Sequence, residues 1–265
     1  LNLTKPQIFT FKLSSPVAGT NIDYLNGFII KPKDFDSTKK YPVMFYTYGG
    51  PGSQTVKDEW MDEKYFWFEY LAEKGIITVS IDNRGTAARG EAFEKSLYLQ
   101  LGKYETEDMI QAVKYLRTLP YIDKDKIGVY GWSYGGYMAA MCITQAADYF
   151  KTAVAVAPVT NWRFYDNIYT ERFMRTPDEN GDNYDNLSPL LNVKKIKGDF
   201  FIAHGMADDN VHLQNTTEMI AEMIKNNIRY DSELYPDKNH GISGGKTRLH
   251  LYTRITNFLL KSFGK

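Results

Sequence analysis

Short runs rich in β-branched and aromatic residues alternate with helix-forming stretches along most of this chain, and that alternation leaves few folds open. The apolar runs fall at residues 8–13, 25–30, 43–48, 76–81, 127–130, 153–157, 200–204 and 230–235. Helical patterns fall at 60–73, 105–119, 134–147, 213–226 and 246–263, with Met109, Val113 and Leu116 recurring at helical spacing in the second of these. Units of this kind pack as a mostly parallel central sheet with helices on both faces, an α/β fold. The segment 160–191 breaks the rhythm, being aromatic first and then rich in Asp, Asn and Gly. It reads as an insertion over the carboxyl edge of the sheet, where open α/β sheets place their ligands.

A chain of 265 residues fits one large domain, spanning 1–265. A domain of that size buries about 75% of its unfolded surface and needs no disulfide. Its one cysteine, Cys142, lies in an apolar run and reads as a core thiol.

Lys and Arg total 32 and Asp and Glu total 32, so no basic field draws the chain to nucleic acid. Apolar runs such as "TAVAVAPV" are too short to span a bilayer. The opening "LNLTKPQIFTF" has neither an initiator methionine nor a signal-peptide pattern, so the chain is expected to be a piece of something longer. No cofactor is expected. The histidines fall singly, without the paired spacing a zinc site needs. "HGISGGKT" ends like a phosphate-binding loop, but His240 occupies the place of its first glycine and no strand runs straight into it.

The chemistry is concentrated at "IGVYGWSYGGYMAAM", residues 127–141, where a β-type run meets a helical one at Ser133. Gly131 and Gly135 flank that serine as G-x-S-x-G. Such a pentapeptide is common as a plain turn, but here strand precedes and helix follows. That context is the nucleophile elbow, whose strained turn lifts a serine hydroxyl clear of the sheet.

An elbow serine needs a base and an acid downstream. Of the four histidines, His204 ends a strand and is expected to be satisfied locally, while His212 opens a helix and His250 lies inside the last one. His240 lies in the polar loop "YPDKNHGISGG" after the last strand, where an α/β-hydrolase carries its base. The acid lies in "HGMADDNVH", at Asp208 or Asp209, the other of the pair being expected to cap the helix that follows. The order Ser, Asp, His is that of α/β-hydrolases. In such a triad the histidine takes the serine proton, and the carboxylate fixes its tautomer and stabilises the imidazolium.

"GWSYGGYM", "HGMADDNVH" and "NHGI", with "YGGPGSQ", "DNRGT" and "APVTNWRFYDNIYTERFM", resemble the catalytic domain of the prolyl oligopeptidase family, closest to its dipeptidyl peptidase IV branch. The resemblance runs from about residue 41 to the end and implies an α/β-hydrolase fold. It implies Ser133 as nucleophile, Asp208 rather than Asp209 as acid, and His240 as base. The oxyanion hole would be the Tyr134 N–H and the Tyr48 hydroxyl, a phenol donor of that kind contributing about 10²–10³ in rate. A proline slot would be lined by Tyr134, Val159, Trp162, Tyr165, Tyr169 and Val211, with Asn210 binding the substrate carbonyl one residue upstream. Aromatic faces suit a flat, rigid ring.

What the resemblance implies for the reaction is release of N-terminal dipeptides with proline or alanine second, through an acyl-enzyme. It also implies an N-terminal β-propeller, absent here, that grips the substrate's free amine. Residues 1–40 or so would be the crossover from it. A homodimer using the last helix, and a periplasmic, secreted or cell-surface location, rest on the same resemblance. Two other readings share these residues: an acyl-peptide hydrolase or carboxylesterase without proline preference, and an inactive interaction module.

Overall fold

The computed structural model describes residues 3–61 and 63–265. Strands β1 (Gln7–Lys12), β2 (Tyr24–Ile30), β3 (Tyr41–Thr47), β4 (Ile77–Asp82), β5 (Ile122–Trp132), β6 (Thr152–Val156), β7 (Asp199–Gly205) and β8 (Asp231–Tyr235) form one sheet in the order β1-β2-β4-β3-β5-β6-β7-β8. β1, β2 and β4 pair antiparallel at one edge, and from β4 to β8 every pairing is parallel. The expected mostly parallel sheet is therefore present.

Helices α1 (Lys64–Glu73), α2 (Glu91–Glu94), α3 (Lys103–Leu116), α4 (Tyr134–Gln145), α5 (Asn167–Met174), α6 (Pro177–Asn186), α7 (Gln214–Lys225) and α8 (Thr247–Phe263) complete the chain. The pleat sends alternate side chains to opposite faces. Val43, Phe45, Ile127, Val129, Ala153, Ala155, Phe200 and Ile202 pack with α3, α4 and α7. Their neighbours Met44, Tyr130, Val154, Val156, Phe201 and Ala203 pack with α1 and α8. Inner strands buried on both faces are why these runs read as almost wholly apolar. All six residues of β4 are buried.

Three departures from expectation have physical causes. β5 starts at Ile122 rather than 127, because Ile122 pairs with Tyr41 and the charged stretch 123–126 is carried as a register shift before pairing resumes at Ile127 and Val43. The expected helix at 60–73 begins at Lys64; Asp62 lies outside the described residues, and Trp60 is exposed, its ring against Tyr65 and Phe66. The insertion at 160–191, where no helix is expected, folds into a short 3₁₀ turn, α5 and α6. Asp166 caps α5 by accepting the Tyr169 N–H. Thr176 and Glu179 close a capping box on α6, with Pro177 at its first position.

The junction of β5 and α4 is the tightest point. Ser133 has φ 60° and ψ −120°, a conformation costing about 1–3 kcal/mol for a residue with a side chain. A methyl on Gly131 would lie 2.0 Å from the Gly135 carbonyl oxygen, and one on Gly135 would lie 2.2 Å from that of Thr47. Neither obstacle is a side chain that can swing aside. Gly135→Ala is expected to lower stability by about 3 kcal/mol or to block folding, read as the midpoint of urea denaturation; a midpoint equal to the parent's would contradict this packing.

Candidate active site

The Ser133 turn is the last piece of β5, and the groups that could serve it come from the same edge of the sheet. Asp208 follows β7 and His240 follows β8. The two loops are stitched together: the Met206 N–H donates to the Tyr235 carbonyl and the Ala207 N–H to that of Lys238, both at 2.9 Å. Gly205 permits the approach, since a methyl there would sit 2.3 Å from the Lys238 oxygen.

Within this frame His240 Nδ1 donates to Asp208 Oδ2 at 2.7 Å. The residue before the serine fastens the same loop to the elbow, Trp132 Nε1 donating to the His240 carbonyl at 3.0 Å. From α8, Arg248 donates to the Gly241 carbonyl at 3.1 Å and lies over the Trp132 ring. A histidine oriented at Nδ1 by a carboxylate presents Nε2 as the basic nitrogen.

Asp208 is buried and Asp209 exposed. Neither caps α7, whose N-cap is Leu213 without a side-chain bond. Instead Asp208 Oδ1 accepts the N–H groups of Asn210 and Val211 at 3.0 Å, folding its own loop as an Asx turn. Burial pushes its pKa up, but hydrogen bonds from His204 and His240, the His240 charge and the Asn210 N–H outweigh that. The carboxyl is held well below the usual carboxylate range, and is ionised at neutral pH.

His204 is fully buried and satisfied locally: Nδ1 faces Thr216 Oγ1 at 2.7 Å, and Nε2 lies 2.8 Å from the Val211 carbonyl. Nε2 is also 3.2 Å from Asp208 Oδ2. Thus His204 steadies the aspartate from behind. His212 is exposed, and His250 meets the Tyr235 hydroxyl through Nδ1 at 3.0 Å. Cys142 is completely buried, which pushes its thiol pKa far up; a thiol so held is inert.

Tyr134 is the first residue of α4, so its N–H is one of the helix's unpaired donors, at the positive end of the helix dipole. The Tyr48 hydroxyl has no partner among the described residues, and its ring centroid lies 6.1 Å from that of Tyr134. Burial raises the Tyr48 pKa, so it stays a donor at neutral pH. The motif "DNRGT" builds the loop that carries it. Asp82 accepts the N–H groups of Thr55 and Val56, Asn83 Nδ2 donates to the Gly49 carbonyl at 3.0 Å, and Arg84 pairs with buried Asp108 at 2.7 Å.

Beside the elbow lies a cluster of rings. Trp162 is 5.6 Å from Tyr134 and 5.9 Å from both Tyr165 and Tyr169, the latter two standing edge to face at 5.4 Å. Val159 and Val211 are buried in the same cluster. Tyr165 donates its hydroxyl to Asn210 Oδ1 at 2.8 Å, leaving both Nδ2 protons of Asn210 without a partner among the described residues.

One residue the sequence reading missed is Glu105, three positions after Gly102 in α3 and fully buried. Its carboxylate accepts the Tyr134 hydroxyl at 2.6 Å and the Gly102 N–H at 2.9 Å. Burial pushes its pKa up to about 7 against those bonds, the Asp108 charge adding to the rise. The glycine–x–x–glutamate spacing at a helix start was the available signal. A cavity of about 900 Å³ between α1 and α8, lined by Trp67, Tyr70 and Tyr252 among others, shares only Arg248 with the site described above. Among the described residues no cluster of His, Cys, Asp and Glu is placed to hold a metal, and no helix is long and apolar enough to cross a membrane.

A strained serine turn, an Asp–His pair reached from two further strand ends and an eight-stranded α/β sheet are the architecture of an α/β-hydrolase domain. Residues 63–265 match the model of the prolyl oligopeptidase family, and the chain belongs to that family. It is 40% identical to mouse prolyl endopeptidase FAP over 239 residues, 89% of this chain and 31% of that protein. With a probable dipeptidyl-aminopeptidase B of Paracoccidioides brasiliensis it shares 43% identity over 237 residues, 88% of this chain and 26% of the other. The crystal structure of Porphyromonas gingivalis dipeptidyl peptidase 4 superposes with a TM-score of 0.92 at 44% identity, covering 98% of this chain and 36% of that one. The chain thus spans about a third of the length of these relatives.

Opposite pH signatures follow from the two buried carboxyls. Asp208, depressed, contributes stability that is present above the unfolded value near 3.9 and lost as pH falls through its folded value. Glu105, raised, carries a cost that appears as pH rises through its unfolded value of 4.5 and is complete above about 7. Glu105→Gln should therefore gain stability relative to the parent between pH 4.5 and 7 by about 3 kcal/mol, and Asp208→Asn should lose most at neutral pH. Urea denaturation at pH 4.5 and pH 7.5 checks both signs.

Proposed function

We propose that this chain is the catalytic domain of a serine exopeptidase that releases N-terminal dipeptides with proline or alanine in second position, by way of an acyl-enzyme. The observation that carries the reading is the box of rings that Trp162, Tyr165 and Tyr169 form with Tyr134, the residue that follows Ser133 in the chain. The relatives' names, prolyl endopeptidase and dipeptidyl peptidase, support it.

In this mechanism His240 Nε2 takes the Ser133 proton as Oγ attacks the scissile carbonyl carbon. The oxyanion that forms accepts hydrogen bonds from the Tyr134 N–H and the Tyr48 hydroxyl. Asp208 holds the Nδ1–H tautomer of His240 and stabilises the imidazolium. That imidazolium protonates the leaving amine, the C–N bond breaks, and the dipeptide remains as an ester on Ser133. Water, deprotonated by His240, then attacks the ester and frees the dipeptide.

Proline in second position would lie among the rings, with Val159 and Val211 closing the slot. Because the Tyr165 hydroxyl occupies Asn210 Oδ1, the Asn210 amide offers its N–H₂ to the carbonyl upstream of the proline. An N-terminal β-propeller would recognise the substrate's free amine; the two-thirds of each relative that this chain does not span leaves room for it.

A Gly-Pro anilide and a short-chain acyl ester, given to this chain and to its Ser133→Ala variant, test the proposal. Anilide cleavage that loses about 10⁶ in kcat in the variant is expected, as for triads that act as a unit. Cleavage of the ester alone would favour the carboxylesterase reading, and anilide cleavage unchanged by Ser133→Ala would overturn the serine mechanism.

A further inference from the structure

We propose that Glu105 is a positioning residue that sets the chain's preference for proline, by holding the phenol of Tyr134 and with it the inner wall of the slot. This rests on the proline reading given above. Tyr134 is the one residue that serves both halves of the site: its N–H faces the place where an oxyanion would form, and its ring stands against Trp162, Tyr48 and Tyr137. The position of that ring is decided at its far end. There the hydroxyl donates to Glu105 Oε1 at 2.6 Å, within the 2.5–2.7 Å range of an O–H bonded to an ionised carboxylate.

The seat beneath Glu105 is built for it. Both carboxylate oxygens accept the N–H of Gly102 at 2.9 Å. Gly102 has φ 93°, and a methyl there would come within 2.0 Å of the Tyr137 hydroxyl. That hydroxyl in turn donates to the Leu101 carbonyl at 2.7 Å. Glutamate, glycine and the two tyrosines therefore lock one another in place with no exposed member. A carboxyl buried this deeply is costly to keep charged. Capping alone does not require the cost, since a helix start is served as well by a partly exposed side chain.

The titratable groups that bear on Glu105 are few. Asp108 lies on its own helix with its charge met by Arg84; Tyr134 and Tyr137 face it from α4, and Tyr169 from α5. Burial keeps all three tyrosines neutral through the physiological range by raising their pKa values. Glu105, pushed up to about 7, is then the member that changes charge there. Above that pH it is a full carboxylate and its bond to Tyr134 is charge-assisted. Below it the bond becomes one between neutral groups, about half as strong, and the ring is held less firmly.

The test is the ratio of kcat/KM for a Gly-Pro anilide to that for a Gly-Ala anilide, measured from pH 5.5 to 8.5 in the intact protein. Any ionisation that changes the rate with both substrates alike cancels in the ratio. The expected result is a rise in the ratio of about 5-fold between pH 6 and pH 8. In Glu105→Gln the ratio should stay flat at the lower level. Tyr134→Phe, which keeps the ring and removes the other end of the bond, should flatten it too, and the double variant should add nothing further. A proline preference that is independent of pH in the parent, or a pH step that persists in Glu105→Gln, would overturn the role of Glu105 alone. Absence of any proline preference in the parent would overturn the proposed function and this inference together.

Discussion

A single backbone turn governs the carboxyl edge of this sheet. At Ser133 the chain leaves β5 with a positive φ and enters α4 at once. The turn closes only because Gly131 and Gly135 let backbone lie on backbone, at distances no side chain tolerates. Its amide is fixed to the Val156 carbonyl at 2.9 Å, so the neighbouring strand sets the direction in which the serine points. Everything else at the site is arranged around that fixed point. Tyr134 follows it with a free helix-start N–H, Trp132 precedes it and ties down the His240 loop, and β7 and β8 deliver Asp208 and His240 alongside.

The polar groups around the turn are held by burial in two opposite ways. Asp208 is buried, yet its hydrogen bonds and the nearby His240 outweigh desolvation and keep it charged. Glu105 is also buried and hydrogen-bonded, but desolvation wins, leaving its charge finely balanced near neutral pH. The difference lies in the partners: two histidines stand beside the backbone N–H groups that hold the first, against a single neutral phenol beside those that hold the second. One carboxyl is thereby kept ionised against the His240 ring, and the other is sensitive to its surroundings.

Much of this was legible in the residues. Strands buried on both faces announce themselves as apolar runs, and G-x-S-x-G between a strand and a helix has one demanding geometric meaning. Periodicity failed where tertiary packing or local capping decides. No helix is expected within the insertion at 160–191 because Asn, Asp and Gly outweigh its apolar content, although Thr176, Pro177 and Glu179 spell a helix start. The assignment of a cap to the Asp208–Asp209 pair failed because α7 starts beyond Leu213, too far along for exposed Asp209, while Asp208 bonds to its own loop. Glu105 escaped notice since nothing local marks a glutamate as buried; only the fold brings Tyr134 over it, 29 residues along the chain.

The central claim is that Ser133 is a nucleophile standing beside a proline slot, and covalent capture addresses it most directly. A dipeptidyl proline phosphonate ester reacts only with an activated serine, and peptide mapping by mass spectrometry locates the adduct. The expected result is one adduct, on the peptide carrying Ser133, slowed by excess Gly-Pro and much less by Gly-Gly. An adduct on another residue, or none while the folded chain binds the phosphonate, would contradict it.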